Sequence, residues 1–202
     1  MFRVVKCALA GATLSLFAVA PASAEAIDVS TITCGEMIES VTGAFPKNPD
    51  KAAPANPSQE RAAQKMGVIM IWLHGYNASE DRGTVLDYAQ VKSYAEELGA
   101  FCALNPKIGL MTAAKKYSGD NAPKPSRDAV DVSTIKCSAL KDGADEKLSI
   151  AIIWLGGWQA GVDDESTFDF EEFGEDITKF AEFCAKNPSK GFVTAAKDVF
   201  GN

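Results

Sequence analysis

The sequence has a single histidine, His74, among its 202 residues, and it lacks the short patterns that mark common enzymes. It contains no Gly-x-Ser-x-Gly elbow, no phosphate-binding loop and no His-Glu-x-x-His motif. Paired carboxylates could in principle cleave glycosides, but no cleft can be identified from the sequence. The sequence therefore predicts a protein that is not an enzyme, with no catalytic residue and no cofactor.

Metal ligands are scarce as well. The cysteines form no Cys-x-x-Cys pair, so a zinc site is not expected. The acidic run Asp163-Asp164-Glu165 lacks the alternating oxygen ligands and central glycine of a calcium loop, and we interpret it as a solvated face. His74 titrates near ~6.5 when unperturbed and could be a pH trigger. Its counterpart in the repeat described below is Gly156, which favours a structural or incidental role.

Positive charge is also in short supply. The chain has 20 Lys and Arg against 27 Asp and Glu, a formal charge of −7. This balance argues against nucleic acid as a partner. Carboxyl groups titrate near pH ~4, so acid would convert the same chain into a strongly cationic one.

Apolar runs that approach membrane-spanning length are absent apart from one at the amino terminus. Residues 1–24 carry Arg3 and Lys6, then an apolar run to about Val19, and end in Ala22-Ser23-Ala24. This is the layout of a cleavable secretory signal. The alternative is a membrane anchor, but the run is too short to cross ~30 Å of hydrocarbon comfortably. We expect export, cleavage before Glu25 and no membrane span.

What the sequence does contain is an internal duplication. The fifteen residues 101–115 return at 183–197 with ten identities at a constant offset of 82. The same offset places Trp72 on Trp154 and Tyr76 on Trp158. Further upstream the offset becomes 103, where residues 28–34 match residues 131–137. The chain is therefore a tandem repeat.

The duplication defines the expected domains. Repeat 1 covers residues 25–116, a linker covers 117–129, and repeat 2 covers 130–202. Repeat 1 has 21 extra residues, which form a proline-rich insertion at about 42–62 with four prolines between Phe45 and Pro57. We interpret the proline-rich stretch 45–57, which is most of the insertion, as an exposed extended loop: a tolerated surface insertion is favoured, and a recognition arm is the alternative.

Each repeat has a very apolar central segment, 66–76 in the first and 148–155 in the second. Either segment could be a strand on periodicity alone, but we favour helix, buried at the centre of its repeat. A second helix follows a capping aspartate, Asp87 or Asp169. Asn-Pro pairs at 105–106 and 187–188 are expected to end these helices and to start the last one. The second helices carry apolar stripes at Tyr88, Val91, Ala95, Leu98 and Cys102, and at Phe170, Phe173, Ile177, Phe180 and Cys184.

Four cysteines remain after loss of Cys7 with the signal, two in each repeat. An exported chain meets an oxidising compartment, so disulfides are expected, and four cysteines allow three pairings. The duplication favours Cys34 with Cys102 and Cys137 with Cys184, because each copy would then close its own bridge. Each bridge would contribute about 4 kcal/mol through loop closure.

These features together resemble the HdeA/HdeB family of periplasmic acid-stress chaperones, and the HdeB branch in particular. The resemblance is carried by the first cysteine, the Trp-Leu-His-Gly centre at 72–75, the helix that delivers Cys102, and the Asn-Pro-x-x-Gly-Leu-x-Thr-Ala-Ala-Lys run at 105–115, and it covers the mature chain twice. It implies an all-α fold of two tandem domains, each with one disulfide in the pairing above, and a periplasmic location. It also implies ATP-independent protection of acid-denatured periplasmic proteins. The family usually forms dimers, so a homo-oligomer or an intrachain pseudo-dimer is expected here.

A physical hypothesis accompanies the resemblance. At neutral pH the acidic clusters keep the chain soluble and the apolar helices are covered; acid then removes stabilising carboxylate interactions and adds repulsion between positive charges. The alternative is a periplasmic binding or envelope-interaction module on the same scaffold that is not gated by acid. The candidate client or dimer surface comprises Val68, Ile69, Ile71, Trp72, Tyr76, Ile150, Ile153, Trp154 and Trp158.

Overall fold

The computed structural model describes residues 26–42, 57–81, 83–117 and 124–201. Repeat 1 contains β1 (Ile27–Asp28), α1 (Cys34–Thr42), α2 (Pro57–Ala78), β2 (Val85–Leu86), α3 (Tyr88–Leu104) and α4 (Leu110–Ala114), then a 3₁₀ turn at Lys115–Tyr117. Repeat 2 contains β3 (Val130–Asp131), 3₁₀ turns at Val132–Thr134 and Cys137–Leu140, α5 (Glu146–Val162), β4 (Thr167–Phe168), α6 (Phe170–Lys186) and α7 (Phe192–Phe200). The expected all-α fold is confirmed. The signal segment and residues 43–56 of the insertion lie outside the described residues.

The two apolar central segments are helices, as expected. Helix α2 begins at Pro57, a residue suited to the first helical position. Helix α5 begins after Asp145, whose carboxylate accepts a hydrogen bond from the Leu148 backbone nitrogen at 2.8 Å. The most extensive contact between any two elements joins α2 to α5. The centre of the molecule is therefore the packing of repeat 1 against repeat 2.

The short strands exchange partners between the repeats. Strand β1 of repeat 1 pairs with β4 of repeat 2, and β2 of repeat 1 pairs with β3 of repeat 2, both antiparallel. Backbone hydrogen bonds extend both pairs, from Val29 N to the Ser166 oxygen (2.9 Å) and from Val132 N to the Thr84 oxygen (2.8 Å). These positions correspond in the duplication, so the exchange is reciprocal and the two repeats are related by an approximate twofold axis.

Each hydrophobic core also contains a residue from the other repeat. Phe168 of repeat 2 lies fully buried in the core built mainly by α2, α3 and α4. Leu86 of repeat 1 lies fully buried in the core built mainly by α5, α6 and α7. Burying a side chain of this size is worth about 1.5 to 3 kcal/mol. Each repeat thus depends on the other for part of its interior.

One disulfide bond lies within each repeat. Cys34 at the start of α1 is bonded to Cys102 in α3, and Cys137 is bonded to Cys184 in α6. All four cysteines are buried in the cores. The fold expectation of two helical repeats with one disulfide each is confirmed.

The last helices begin later than the Asn-Pro pairs predict. Helices α3 and α6 do end before Asn105 and Asn187, but α4 and α7 start after Gly109 and Gly191. The prolines lie in turns instead. The Pro106 carbonyl oxygen accepts from Gly35 N at 2.8 Å, and its counterpart in repeat 2 makes the equivalent contact with Ser138 N. Docking against the first helix therefore takes the place of helix initiation.

The described end of the linker packs on repeat 1. Ser126 N donates to the Asp87 carboxylate at 2.6 Å, and the Gln90 side chain donates to the Lys124 carbonyl oxygen at 2.9 Å. The same Asp87 carboxylate caps α3 through Ala89 N. Residues 124–126 are thus held at the start of α3, directly before the chain enters β3.

Candidate functional site at the junction of the repeats

The residues predicted as a client or dimer surface lie along α2 and α5 and are covered. Five are buried, with 7% exposure at most: Ile69, Trp72, Tyr76, Trp154 and Trp158. The other four are half-buried: Val68, Ile71, Ile150 and Ile153. These side chains pack in the two cores and at their junction. The predicted surface is therefore an internal one, closed by the packing of one repeat on the other.

Two glycines allow the central helices to touch backbone to backbone. A Cβ atom on Gly75 would collide with the Trp154 carbonyl oxygen, and a Cβ atom on Gly157 would collide with the Trp72 carbonyl oxygen. Gly75 and Gly157 correspond in the duplication, so the crossing is symmetric. The two helix backbones can approach this closely because glycine has no side chain.

Cations cover aromatic rings across the junction in the same reciprocal way. Lys65 Nζ of α2 lies 4.8 Å from the centroid of Phe170, the first residue of α6. Lys147 Nζ of α5 lies 5.5 Å from the centroid of Tyr88, the first residue of α3. Exposed cation–π contacts of this kind are worth about 0.5 to 1 kcal/mol each.

A partly buried side-chain hydrogen bond at the junction has no symmetric counterpart. Trp154 Nε1 of α5 donates to His74 Nδ1 of α2 at 2.9 Å. The ring of His74 also meets the ring of Tyr94 edge to face, with centroids 4.9 Å apart. Burial lowers the pKa of His74 to about 4, while the negative charge of Asp87 acts in the opposite direction. His74 is consequently neutral at pH 7, as an acceptor for the indole N–H requires.

The equivalent place in repeat 2 carries smaller side chains. His74, Tyr94 and Tyr117 correspond to Gly156, Asp176 and Val199, and these three line an open cavity of about 260 Å³. Its walls combine aromatic rings, among them Trp72 and Phe173, with several carboxylates and Lys179, which is ion-paired to Asp176 at 2.7 Å. A Cβ atom on Gly156 would come within 2.5 Å of the Phe173 ring. Phe173 therefore occupies part of the space that His74 takes in repeat 1.

Carboxylates at the exchanged strands are stabilised in their charged form. Asp28 accepts hydrogen bonds from Ser30 and, across the junction, from the Ser166 hydroxyl at 3.0 Å, and these bonds lower its pKa. Its counterpart Asp131 accepts from Ser133 and from the Thr84 hydroxyl at 2.8 Å, again with a lowered pKa. Both carboxylates therefore link the repeats more strongly while they are ionised.

Sequence reasoning missed three residues of this junction. Leu86 and Phe168 lie in two-residue strands, which have no readable period, and nothing local indicates that they cross to the other repeat. Tyr94 was omitted from the stripe of α3 although it is 5% exposed. Its spacing of four residues before Leu98 and eight before Cys102 is helical and could have identified it.

Among the described residues, the helices are too short or too polar to span a membrane.

A family model described as HdeA/HdeB family matches the chain twice, over residues 4–112 and 113–194. Two consecutive matches to one family model agree with a tandem duplication. No curated protein and no solved structure matches the chain.

Proposed function

The chain belongs to the HdeA/HdeB family, and we propose that it is an ATP-independent periplasmic chaperone that binds unfolding proteins when the compartment turns acidic. The proposal includes export through the signal at 1–24 and the division into repeats at 25–116 and 130–202 with a linker at 117–129. The single observation that carries it is the closed apolar junction between α2 and α5. Its partners would be acid-denatured periplasmic proteins, and the tandem repeats would serve as an intrachain pseudo-dimer.

The junction supplies a suitable surface for unfolding proteins. Trp72, Tyr76, Trp154 and Trp158 are large apolar side chains, buried against the opposite repeat or within the cores. A partial separation of α2 from α5 would expose them together with the half-buried isoleucines of the same helices. Contiguous apolar surface of this kind binds the exposed apolar segments of other proteins.

Acid weakens the contacts that close the junction. Asp28 and Asp131 have folded-state pKa values below the ordinary value of 3.8. The stability that they contribute is therefore present above pH 3.8 and is lost as the pH falls through their lowered values. Protonation of the remaining carboxylates leaves the positive charges of Lys and Arg unopposed. The disulfides, which do not titrate, would limit how far each repeat opens.

One observation favours a second candidate function, a binding module that is not gated by acid. The cavity over Gly156 is open while α2 and α5 are packed together, and aromatic rings and carboxylates line it. Such a module would bind its partner at pH 7 and would not need the helices to separate.

The test is aggregation of an acid-sensitive periplasmic protein, followed by light scattering after transfer from pH 7 to pH 5, 4, 3 and 2. Equimolar protein should suppress the scattering in acid but not at pH 7, where the same client is aggregated by heat as the control. ANS fluorescence of the protein alone should rise over the same pH range. If the protein suppresses aggregation at none of these pH values, the chaperone function is refuted and the binding module that is not gated by acid remains.

A further inference from the structure

The His74–Trp154 hydrogen bond can exist in one protonation state only. An indole N–H is always a donor, so His74 Nδ1 must carry a lone pair and the ring proton must be on Nε2. A proton added to Nδ1 would place two N–H groups against each other and a positive charge at the junction of α2 and α5. The contact joins the repeats, because His74 belongs to repeat 1 and Trp154 to repeat 2.

We propose that protonation of His74 breaks this contact and loosens the packing of α2 on α5, so that one histidine makes the junction acid-sensitive at a higher pH than the carboxylates do. The loosened form retains both disulfides and the helices of each repeat. As the regulation of client binding, the inference rests on the function proposed above. As a property of the junction, it stands without that function.

The surroundings of His74 offer little compensation for a positive charge. From α3, the ring of Tyr94 faces it; Tyr94 is buried and its pKa is raised well above the ordinary value by that burial, so the phenol stays neutral. The Tyr94 hydroxyl accepts from Asn77 of α2 at 3.2 Å. From α5, Trp154 contributes a donor. Asp87, before α3, is the charged group that acts on His74, and its carboxylate already accepts from Ser126, Ala89 and Gln90.

The sign of the pH effect follows from the two states. Unfolded, His74 has the ordinary pKa of 6.5; folded, burial lowers it to about 4. The unfolded state therefore binds the proton more readily, and stability is full above pH 6.5 and is lost as the pH falls from 6.5 to about 4. Over that range the folding equilibrium weakens by about two orders of magnitude. Asp28 and Asp131 act below this window, because their lowered values lie under 3.8.

The other repeat has no equivalent group. Gly156 stands at the corresponding position, and the Phe173 ring fills part of the space beside it. The device is therefore a single-proton one: His74 titrates on one side of the crossing, and Gly156 at the corresponding position on the other side has no side chain to titrate. A single proton gives a gradual transition rather than a steep one.

The decisive variant is His74→Gln, since the glutamine side-chain oxygen can accept the indole N–H but cannot be protonated in this range. Urea unfolding at pH 7, 6, 5 and 4 should show that the wild-type folding equilibrium weakens about 100-fold, whereas His74→Gln stays within about 5-fold. Asp131→Asn is the matched control, because it removes a junction carboxylate that titrates below the window; its pH dependence from 7 to 4 should match wild type. Equal pH dependence in wild type and His74→Gln would overturn the proposal.

A measurement on the unmodified protein covers the case in which His74→Gln does not fold. His74 is the only histidine in the chain, so its ring signals in an NMR titration are unambiguous. We expect a midpoint near pH 4, with the indole signal of Trp154 shifting at the same midpoint. A His74 midpoint near 6.5 in the folded protein would overturn the proposal.

The aggregation assay separates this inference from the proposed function. A chaperone gated by His74 should begin to protect at a lower pH once glutamine replaces the histidine. An unchanged threshold in that variant would overturn the regulatory role. If the wild type protects nothing while His74 shows the predicted titration, the chaperone function fails and the acid-sensitive junction stands.

Discussion

The two repeats are alike at the helix crossing and unlike beside it. Gly75 and Gly157 both bring a helix onto the backbone of the other, in the same way. A few residues away, His74 and Tyr94 fill the space in repeat 1, whereas Gly156 and Asp176 leave a cavity in repeat 2. The repeats thus differ in the side chains beside the crossing, whereas the backbone contact itself is symmetric. The crossing is the shared structural element, and its flanks are where the repeats differ in chemistry.

Removing a disulfide is the change with the largest expected effect, and it tests whether the two disulfides stabilise the protein equally. The bridges join cysteines separated by 68 and 47 positions, and closure entropy depends only weakly on that difference. Cys34→Ser with Cys102→Ser, and Cys137→Ser with Cys184→Ser, should each lower the free energy of unfolding by about 4 kcal/mol. Urea unfolding at pH 7 measures both losses. If the two losses in the free energy of unfolding differ by more than about 2 kcal/mol, the disulfides do not contribute equally.

Truncating the exchanged core residues tests whether each repeat depends on the other. Leu86→Ala and Phe168→Ala should each lower the free energy of unfolding by about 3 kcal/mol, because both side chains are fully buried. The loss should appear across the junction: native-state hydrogen exchange should speed up in α7 for Leu86→Ala and in α2 for Phe168→Ala. Val85→Ala, in the same strand but 45% exposed, is the control and should change stability by less than about 0.5 kcal/mol. Effects confined to the mutated repeat would refute the exchange.

Adding one methyl group at the crossing tests its symmetry. Gly75→Ala and Gly157→Ala should each lower the free energy of unfolding by about 2 kcal/mol, since the new Cβ meets a backbone carbonyl that cannot rotate away. Thermal or urea unfolding measures both. Gly67→Ala in α2 is the matched control: nothing lies within 4 Å of its Cβ, so the better helix former should stabilise by about 0.5 to 1 kcal/mol. A neutral result at Gly75 would show that the helices are not in backbone contact.

The elements that the sequence predicted well are those whose signals are local or duplicated. Helical spacing and two capping aspartates located α3 and α6, and the repeat of each cysteine favoured the observed disulfides. The strand exchange could not be predicted, because Ile27 can pair equally well with its own repeat or with the other as far as residue patterns show. The hydrogen bond from Trp154 to His74 could not be predicted either, because it depends on how two helices from different repeats are rotated against each other.

The packing of α2 on α5 occurs within one polypeptide, so its stability does not depend on the protein concentration. Two separate chains associated through such helices would dissociate on dilution, whereas linked halves face each other at an effective concentration on the order of millimolar, however dilute the protein is. Closure after a return to neutral pH is then a first-order process, with a rate that is the same in a crowded and in a sparsely populated compartment.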